Sequence, residues 1–213
     1  LYRYLFQNRA VRGEWVRLNR TFIDTLNTHH YPQVVRHLLG EMMVATNLLT
    51  ATLKFEGDIT VQIQGDGPLR LALVNGTDEQ NIRALARIEG DISNDMGLHQ
   101  LIGKGVLVIT IAPKEGERYQ GIIALDKPTI TECLEEYFER SEQLQTQLLI
   151  RVGEYEGKPV AAGMLLQIMP DGSGSREDFE HLATLTSTVK DEELFGLNAE
   201  ELMYRLYHEE TVE

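Results

Sequence analysis

From Val34 to Leu53, apolar side chains fall at Val34, Val35, Leu38, Leu39, Met42, Met43, Ala45, Leu48, Leu49 and Leu53. A helix through these positions is apolar over most of its circumference, so it has to be covered on several sides at once. Pro32, just before the run, suits the start of a helix, where its missing N–H is no loss. Arg36, His37, Glu41 and Lys54 interrupt the stretch from Val34 to Phe55 and exclude a membrane span, which needs about 20 nearly uncharged residues. Whatever this chain folds into, it must supply walls for a buried central helix.

The flanking sequence offers strands. Val11 to Val16, around Gly13, read as an opening strand or bent hairpin, and Thr21 to Thr28 as a short helix. After Gly57 the period becomes two: Ile59, Val61 and Ile63 alternate with Thr60, Gln62 and Gln64, and Gly65-Asp66-Gly67-Pro68 turns the chain into Leu69 to Val74. Asn75-Gly76 is a second turn signal, followed by a strand over Ile82 to Ile88 and a helical piece over Leu98 to Ile102. Strands Val106 to Ala112 and Arg118 to Leu125 are expected to begin a second sheet. Thr129 to Gln143 reads as an amphipathic helix, and Leu148 to Val152 and Ala161 to Met169 as closing strands joined by a turn over residues 153–159. The expected class is α+β: a β-rich core of antiparallel strands in two sheets with a buried central helix, followed by a helical linker region.

Asp171 to Ser175 is the one Gly/Ser-rich stretch, and composition changes across it. Residues 171–213 hold twelve acids against Arg176, Lys190 and Arg205, which is nine of the chain's thirteen excess negative charges. Phe179, Leu182, Leu185, Thr186 and Val189 form one helical stripe, and Asn198 with Glu201 is a capping-box signal. Residues 1–170 are therefore expected to be a core domain and 171–213 an acidic, amphipathic helical linker. A net charge of −13 argues against nucleic acid as the main ligand and against an anionic membrane. No secretory signal opens the chain, so the cytoplasm is the expected location.

Catalytic and metal-binding patterns are weak. Pro68 removes an amide that a phosphate cradle needs, so Gly65 to Pro68 is a hairpin turn. None of the six histidines (His29, His30, His37, His99, His181, His208) forms a helical His-x-x-x-His pair. Ser173 and Ser175 lie in the Gly/Ser stretch without a nucleophile-elbow context. Cys133, the single cysteine, rules out an intrachain disulfide and is expected to be a buried, inert thiol because Glu132, Glu135 and Glu136 oppose thiolate formation. The chain is not expected to be an enzyme or to carry a cofactor.

Several segments together resemble the 33-kilodalton heat-shock protein family of redox-regulated chaperones. They are Val11 to Glu14, Leu48 to Phe55, Gly57 to Gln62, Gln64 to Pro68 and Glu115 to Gly121, then Tyr137-Phe138 with Arg140 to Gln143, Gly163 to Gln167 with Met169-Pro170, and Arg205 to Glu209. The resemblance implies a β-rich amino-terminal domain, a helical linker and a carboxy-terminal module whose four cysteines hold zinc until oxidation. It also implies an ATP-independent holdase that keeps unfolding proteins from aggregating under oxidative or heat stress, and a homodimer with possible exchange of segments, for which a hinge between Gly172 and Ser175 would serve. None of the four cysteines is present, so zinc is expected only for a full-length family member and this chain is expected to be constitutively active.

The physical reading is compatible. An acidic amphipathic segment must lay its apolar stripe on something, and the core offers a face. Ordering each residue costs about 1–2 kcal/mol, similar to the return from burying an apolar side chain, so such a cover sits near balance. The candidate surface for non-native polypeptide clients comprises Met164, Leu166 and Ile168 on the last strand, with Phe179, Leu182, Leu185, Val189, Leu194 and Phe195 on the cover. Two other readings remain open: a small-molecule-binding or enzymatic α+β domain with a polar cleft between sheets, and a structural assembly module.

Overall fold

The central helix forms, and two antiparallel sheets close on it. The computed structural model describes residues 1–7, 9–52, 56–169 and 174–213. The chain opens with β1 (Tyr2–Phe6) and β2 (Val11–Leu18), then α1 (Arg20–Thr28) and the long α2 (Gln33–Thr52). Strands β3 (Gly57–Gly65), β4 (Leu69–Thr77) and β5 (Ile82–Ile88) make a meander. After α3 (Leu98–Ile102), β6 (Gly105–Pro113) and β7 (Tyr119–Ala124) follow. Helix α4 (Ile130–Arg140) leads into the hairpin of β8 (Thr146–Tyr155) and β9 (Lys158–Ile168). Helices α5 (Arg176–Ser187), α6 (Asp191–Gly196) and α7 (Ala199–Tyr207) complete the described elements.

One sheet has the order β1-β2-β9-β8 and the other β5-β4-β3-β6-β7, with every neighbouring pair antiparallel. This corrects the expectation that Val106 begins a second sheet, because β6 pairs with β3 and extends the first meander. The second sheet joins the two ends of the chain instead, a long-range pairing that local patterning cannot express. Asn75-Gly76 is not a turn but lies inside β4; the reversal falls at Thr77 to Asn81, where Gln80 adopts a φ of 64°. The expected turn over 153–159 shrinks to Glu156-Gly157, both at positive φ, as a two-residue hairpin requires. Helix α4 ends at Arg140, three residues early.

Side chains from both sheets converge on α2. Leu38, Leu39, Met42, Met43, Leu48 and Leu49 are buried among Val16, Leu148, Ile150 and Leu165 from one sheet and Ile59, Val61, Ile63, Val74 and Leu107 from the other. Gly163 in β9 permits this closeness: a Cβ there would lie 2.6 Å from Val44 Cγ1. Thr46 and Thr50 return their hydroxyl hydrogens to the carbonyls of Met42 and Thr46, so these polar residues are satisfied within the helix. The expected junction at 170/171 lies outside the described residues, as do the first two residues of the suggested hinge at Gly172 to Ser175.

Candidate functional site: an apolar sheet face under an acidic helical cover

The β1-β2-β9-β8 sheet is apolar on both faces. Along β9, Ala161 and Leu165 point to α2, whereas Val160, Ala162, Met164 and Leu166 point the other way. That second face receives Val11 and Trp15 from β2, Tyr4 and Phe6 from β1, and Leu149 from β8. Lying on it are Phe179 and Leu182 of α5, Val189 of the following connection and Leu194 and Phe195 of α6. Met164, Leu166, Leu182 and Leu194 are wholly buried, and Ile168 and Leu185 pack at the margin, half-buried. All nine residues singled out from the sequence thus meet in one cluster.

The same cluster holds residues that sequence reasoning left out. Leu202, Met203, Leu206 and Tyr207 of α7 are buried in it, and their i, i+4 spacing was the signal available. Tyr4 and Phe6 carried no such signal, since a single short strand does not reveal which face is covered. Their rings pack against Tyr207 at 5.8 and 4.9 Å, the Phe6 pair edge to face. Tyr4 lies flat across Gly13, where a Cβ would come within 2.1 Å of its ring.

Polar clips rim the contact. In the turn after β1, Arg9 donates to Asp178 at 2.6 Å and pairs with Glu210 at 2.9 Å, and His181 meets the same Glu210 at 2.7 Å. Arg17, stacked over Trp15, donates to the carbonyls of Phe195 and Leu197. Gln147 on β8 reaches the Ala183 carbonyl and the Ser187 hydroxyl, and Arg151 pairs with Asp191. The Ser175 hydroxyl and then Arg9 hold the Asp178 carboxyl below its ordinary value. The Lys190 amide, followed by Arg205, does the same for Glu193 within the cover. Sheet cations thus hold an acidic cover along its rim, while the interior of the contact is apolar apart from the buried hydroxyls of Tyr4, Tyr207 and Thr186.

A separate cleft of about 410 Å³ opens between the sheets near the end of α2, lined by Leu49, Ile109, Ile111, Phe138, Arg12 and Glu142, among others. Glu142 is already engaged, accepting from the Tyr137 and Tyr119 hydroxyls at 2.8 and 3.1 Å. Glu14, nearby in sequence on β2, is buried, and burial pushes its carboxyl up to about 7 against the opposing pull of Arg12 and Arg3. These groups form no nucleophile–base pair. Cys133 is buried as expected, and burial raises its thiol above the ordinary value, the state of an unreactive core cysteine.

A family model described as Hsp33 protein matches residues 1–213. The chain belongs to the Hsp33 family. Among Hsp33 relatives, the 33 kDa chaperonin of Mannheimia succiniciproducens is 89% identical over 213 residues, which make up all of this chain and 72% of that protein. The 33 kDa chaperonin of Pasteurella multocida is 82% identical over 213 residues, again the whole chain and 74% of the relative. The crystal structure of the Thermotoga maritima 33 kDa chaperonin superimposes with a TM-score of 0.83 at 22% identity, covering 99% of this chain and 76% of that one, and so shares the fold. The family and the names of these relatives make this chain a member of a heat-shock chaperone family.

Zinc, which the family resemblance places in a four-cysteine module, does not fit the residues present here. Cys133 is the single cysteine, and no group of three or more His, Cys, Asp or Glu side chains comes together among the described residues. Nor, among the described residues, is any helix long and apolar enough to cross a membrane.

Proposed function

We propose that this chain is an ATP-independent holdase that receives non-native polypeptides on the face formed by Tyr4, Phe6, Trp15, Met164 and Leu166 once the α5–α7 cover lifts away. The observation that carries the reading is the pairing of a continuous apolar sheet face with a cover of short, acidic, amphipathic helices. Helices of six to twelve residues do not hold their shape alone in water, so the cover's order depends on docking. Lifting it exposes an apolar area with no polar competitor for a client's own apolar segments. Residues 1–170 then act as the body and 171–213 as the shield. Heat loosens the shield directly; redox control, which the resemblance places in cysteines absent here, would act by changing how firmly it docks. A cytoplasmic homodimer formed by exchanging α5–α7 between protomers preserves every contact described and is compatible with this reading.

A locked cover tests the proposal. Cysteines introduced at Gln147 and Ser187, whose side chains touch, can be joined by a short bis-maleimide. The unlinked chain is expected to suppress light scattering from a heat-unfolded client without oxidant, and the linked chain to lose that ability. Equal suppression by both forms would mean that uncovering is not how clients are held.

A further inference from the structure

Two sheets have four edges; one of them is paired and two are capped in part. The outer edge of β1 is paired with the end of the chain: Leu5 and Glu213 exchange both backbone hydrogen bonds, and the Gln7 amide donates to Thr211. On β5, the Tyr31 hydroxyl accepts from the Ala86 amide at 3.1 Å and contacts its carbonyl at 3.3 Å, filling both outward groups of that residue, though not those of Ile82 and Ala84. On β8, a Glu135 carboxylate oxygen accepts from the Leu148 amide at 2.7 Å, and Arg151 donates to the Ile150 carbonyl. β5 also carries Arg83 and Arg87, and β8 carries Arg151 and Glu154, charges of the kind that keep foreign strands away.

The fourth edge, β7, is different. Its sequence, Tyr119-Gln120-Gly121-Ile122-Ile123-Ala124, has neither charge nor proline. The register identifies its outward groups. Lys114 N–H bonds to the Glu56 carbonyl, so even-numbered residues of β6 face β3 and odd-numbered ones face β7. Leu107, Ile109 and Ile111 therefore pair with Ile123, Gly121 and Tyr119, leaving the amides and carbonyls of Gln120, Ile122 and Ala124 pointing out of the sheet. The same rule applied to β5 and β8 makes Ala86, Leu148 and Ile150 outward, as their side-chain caps confirm. Among the described residues nothing caps those of β7. Ile122 is 69% exposed and ends an apolar row across the outer face that runs through Val108 and, past Gln62, to Leu73 and Leu85.

The geometry points to β7 as a second polypeptide-binding element, one that adds an extended segment of a non-native chain as a sixth strand, read through its backbone at Gln120, Ile122 and Ala124. Only an extended backbone supplies donors and acceptors at the two-residue repeat these groups present. Any sequence can bind in this way, because the bonds go to the main chain, while Ile122 and Val108 favour apolar side chains on the outer face. A second copy of this chain is the weaker occupant: pairing two β7 edges makes contact along a ribbon roughly 20 Å long and one strand wide, well short of the about 1,000 Å² that a specific dimer buries. The edge needs no lifting of the α5–α7 cover, so it offers clients a first contact on the other sheet. This inference rests on the holdase reading and extends it to a site outside the covered face.

Amide exchange resolves the two. The 213-residue chain is mixed with reduced, carboxymethylated lactalbumin as a permanently unfolded probe, binding is followed by fluorescence anisotropy of labelled probe, and exchange is read residue by residue in the same samples. The expected result is that the Gln120, Ile122 and Ala124 amides exchange at least about tenfold more slowly in the complex, with the capped Ala86 and Leu148 amides unchanged. Ile122→Pro removes an outward amide that takes no part in the β6 ladder and is expected to weaken probe binding up to about tenfold, the loss of one hydrogen bond. Should that variant melt early, Gln120→Lys with Ile122→Lys puts charge on the edge without touching the backbone and is expected to weaken binding likewise. Probe bound with β7 exchanging as in the free chain would overturn the edge proposal and leave the covered face standing. No binding of the probe at all would overturn the holdase reading, and the edge proposal with it.

Discussion

The two faces of the β1-β2-β9-β8 sheet are equally buried and differently held. On the inner face, Leu165, Ile150 and Val16 meet α2, which is itself walled by the second sheet and presents buried residues nearly all round. On the outer face, Met164, Leu166 and Leu149 meet α5–α7, whose other sides face water, as Tyr204 at 74% exposure illustrates. The inner helix is part of the fold's only means of closing two sheets, whereas the cover is anchored from one side and clipped at its rim by Arg9, Arg17, Gln147 and Arg151. Burial alone therefore does not distinguish a side chain walled on several sides from one walled on two. What distinguishes them is how many independent walls each side chain has.

The largest effect is expected on the inner face. Leu48→Ala should lower the free energy of global unfolding by about 2–5 kcal/mol, read from the shift of the denaturant midpoint. Leu182→Ala removes a side chain just as buried from the cover, but its loss of about 2–4 kcal/mol should emerge as local opening: faster amide exchange over 176–207 and uptake of a hydrophobic dye, with β3–β7 protection intact. One shared transition for both variants would collapse the distinction between the faces.

Acidity acts on the inner side. Burial holds the carboxyls of Glu14 and of Glu41 at about 7, so the folded chain favours their protonated forms. That contribution is fully present below the unfolded value and is lost as pH rises through about 7. Stability should therefore rise as pH falls from 8 to 6, by on the order of 1 kcal/mol for each carboxyl, and Glu14→Gln should flatten the profile. The cover's Asp178 and Glu193, held low, lose their contribution only as pH falls below the usual carboxylate range.

The smallest effect belongs to the rim. Arg9→Gln, or raised salt, should loosen the cover by at most about 1 kcal/mol, because its ion pairs are partly exposed to water. Exchange over α5 is the sensitive measurement. A global change in stability on Arg9→Gln would mean that the rim, rather than the apolar interior, holds the cover.

Periodicity made much of this protein legible. The apolar circumference of residues 34–53 announced a buried helix, the alternation in Ile59-Val61-Ile63 announced β3, and the stripe from Phe179 to Val189 with the acidic excess after Asp171 announced an amphipathic cover. These are local signals, determined by which side of a helix or strand each residue occupies. The nine candidate residues could be named because a stripe requires a partner, and the last strand before it was a near one. Only the tertiary structure decided that β9 inserts between β2 and β8, that Tyr4 and Phe6 share the covered face, that β6 continues the first sheet, and that β7 carries no cap among the described residues. Each of those depends on pairing between residues distant in the chain, where one strand's pattern fits many partners and the choice is made by the packing of the whole.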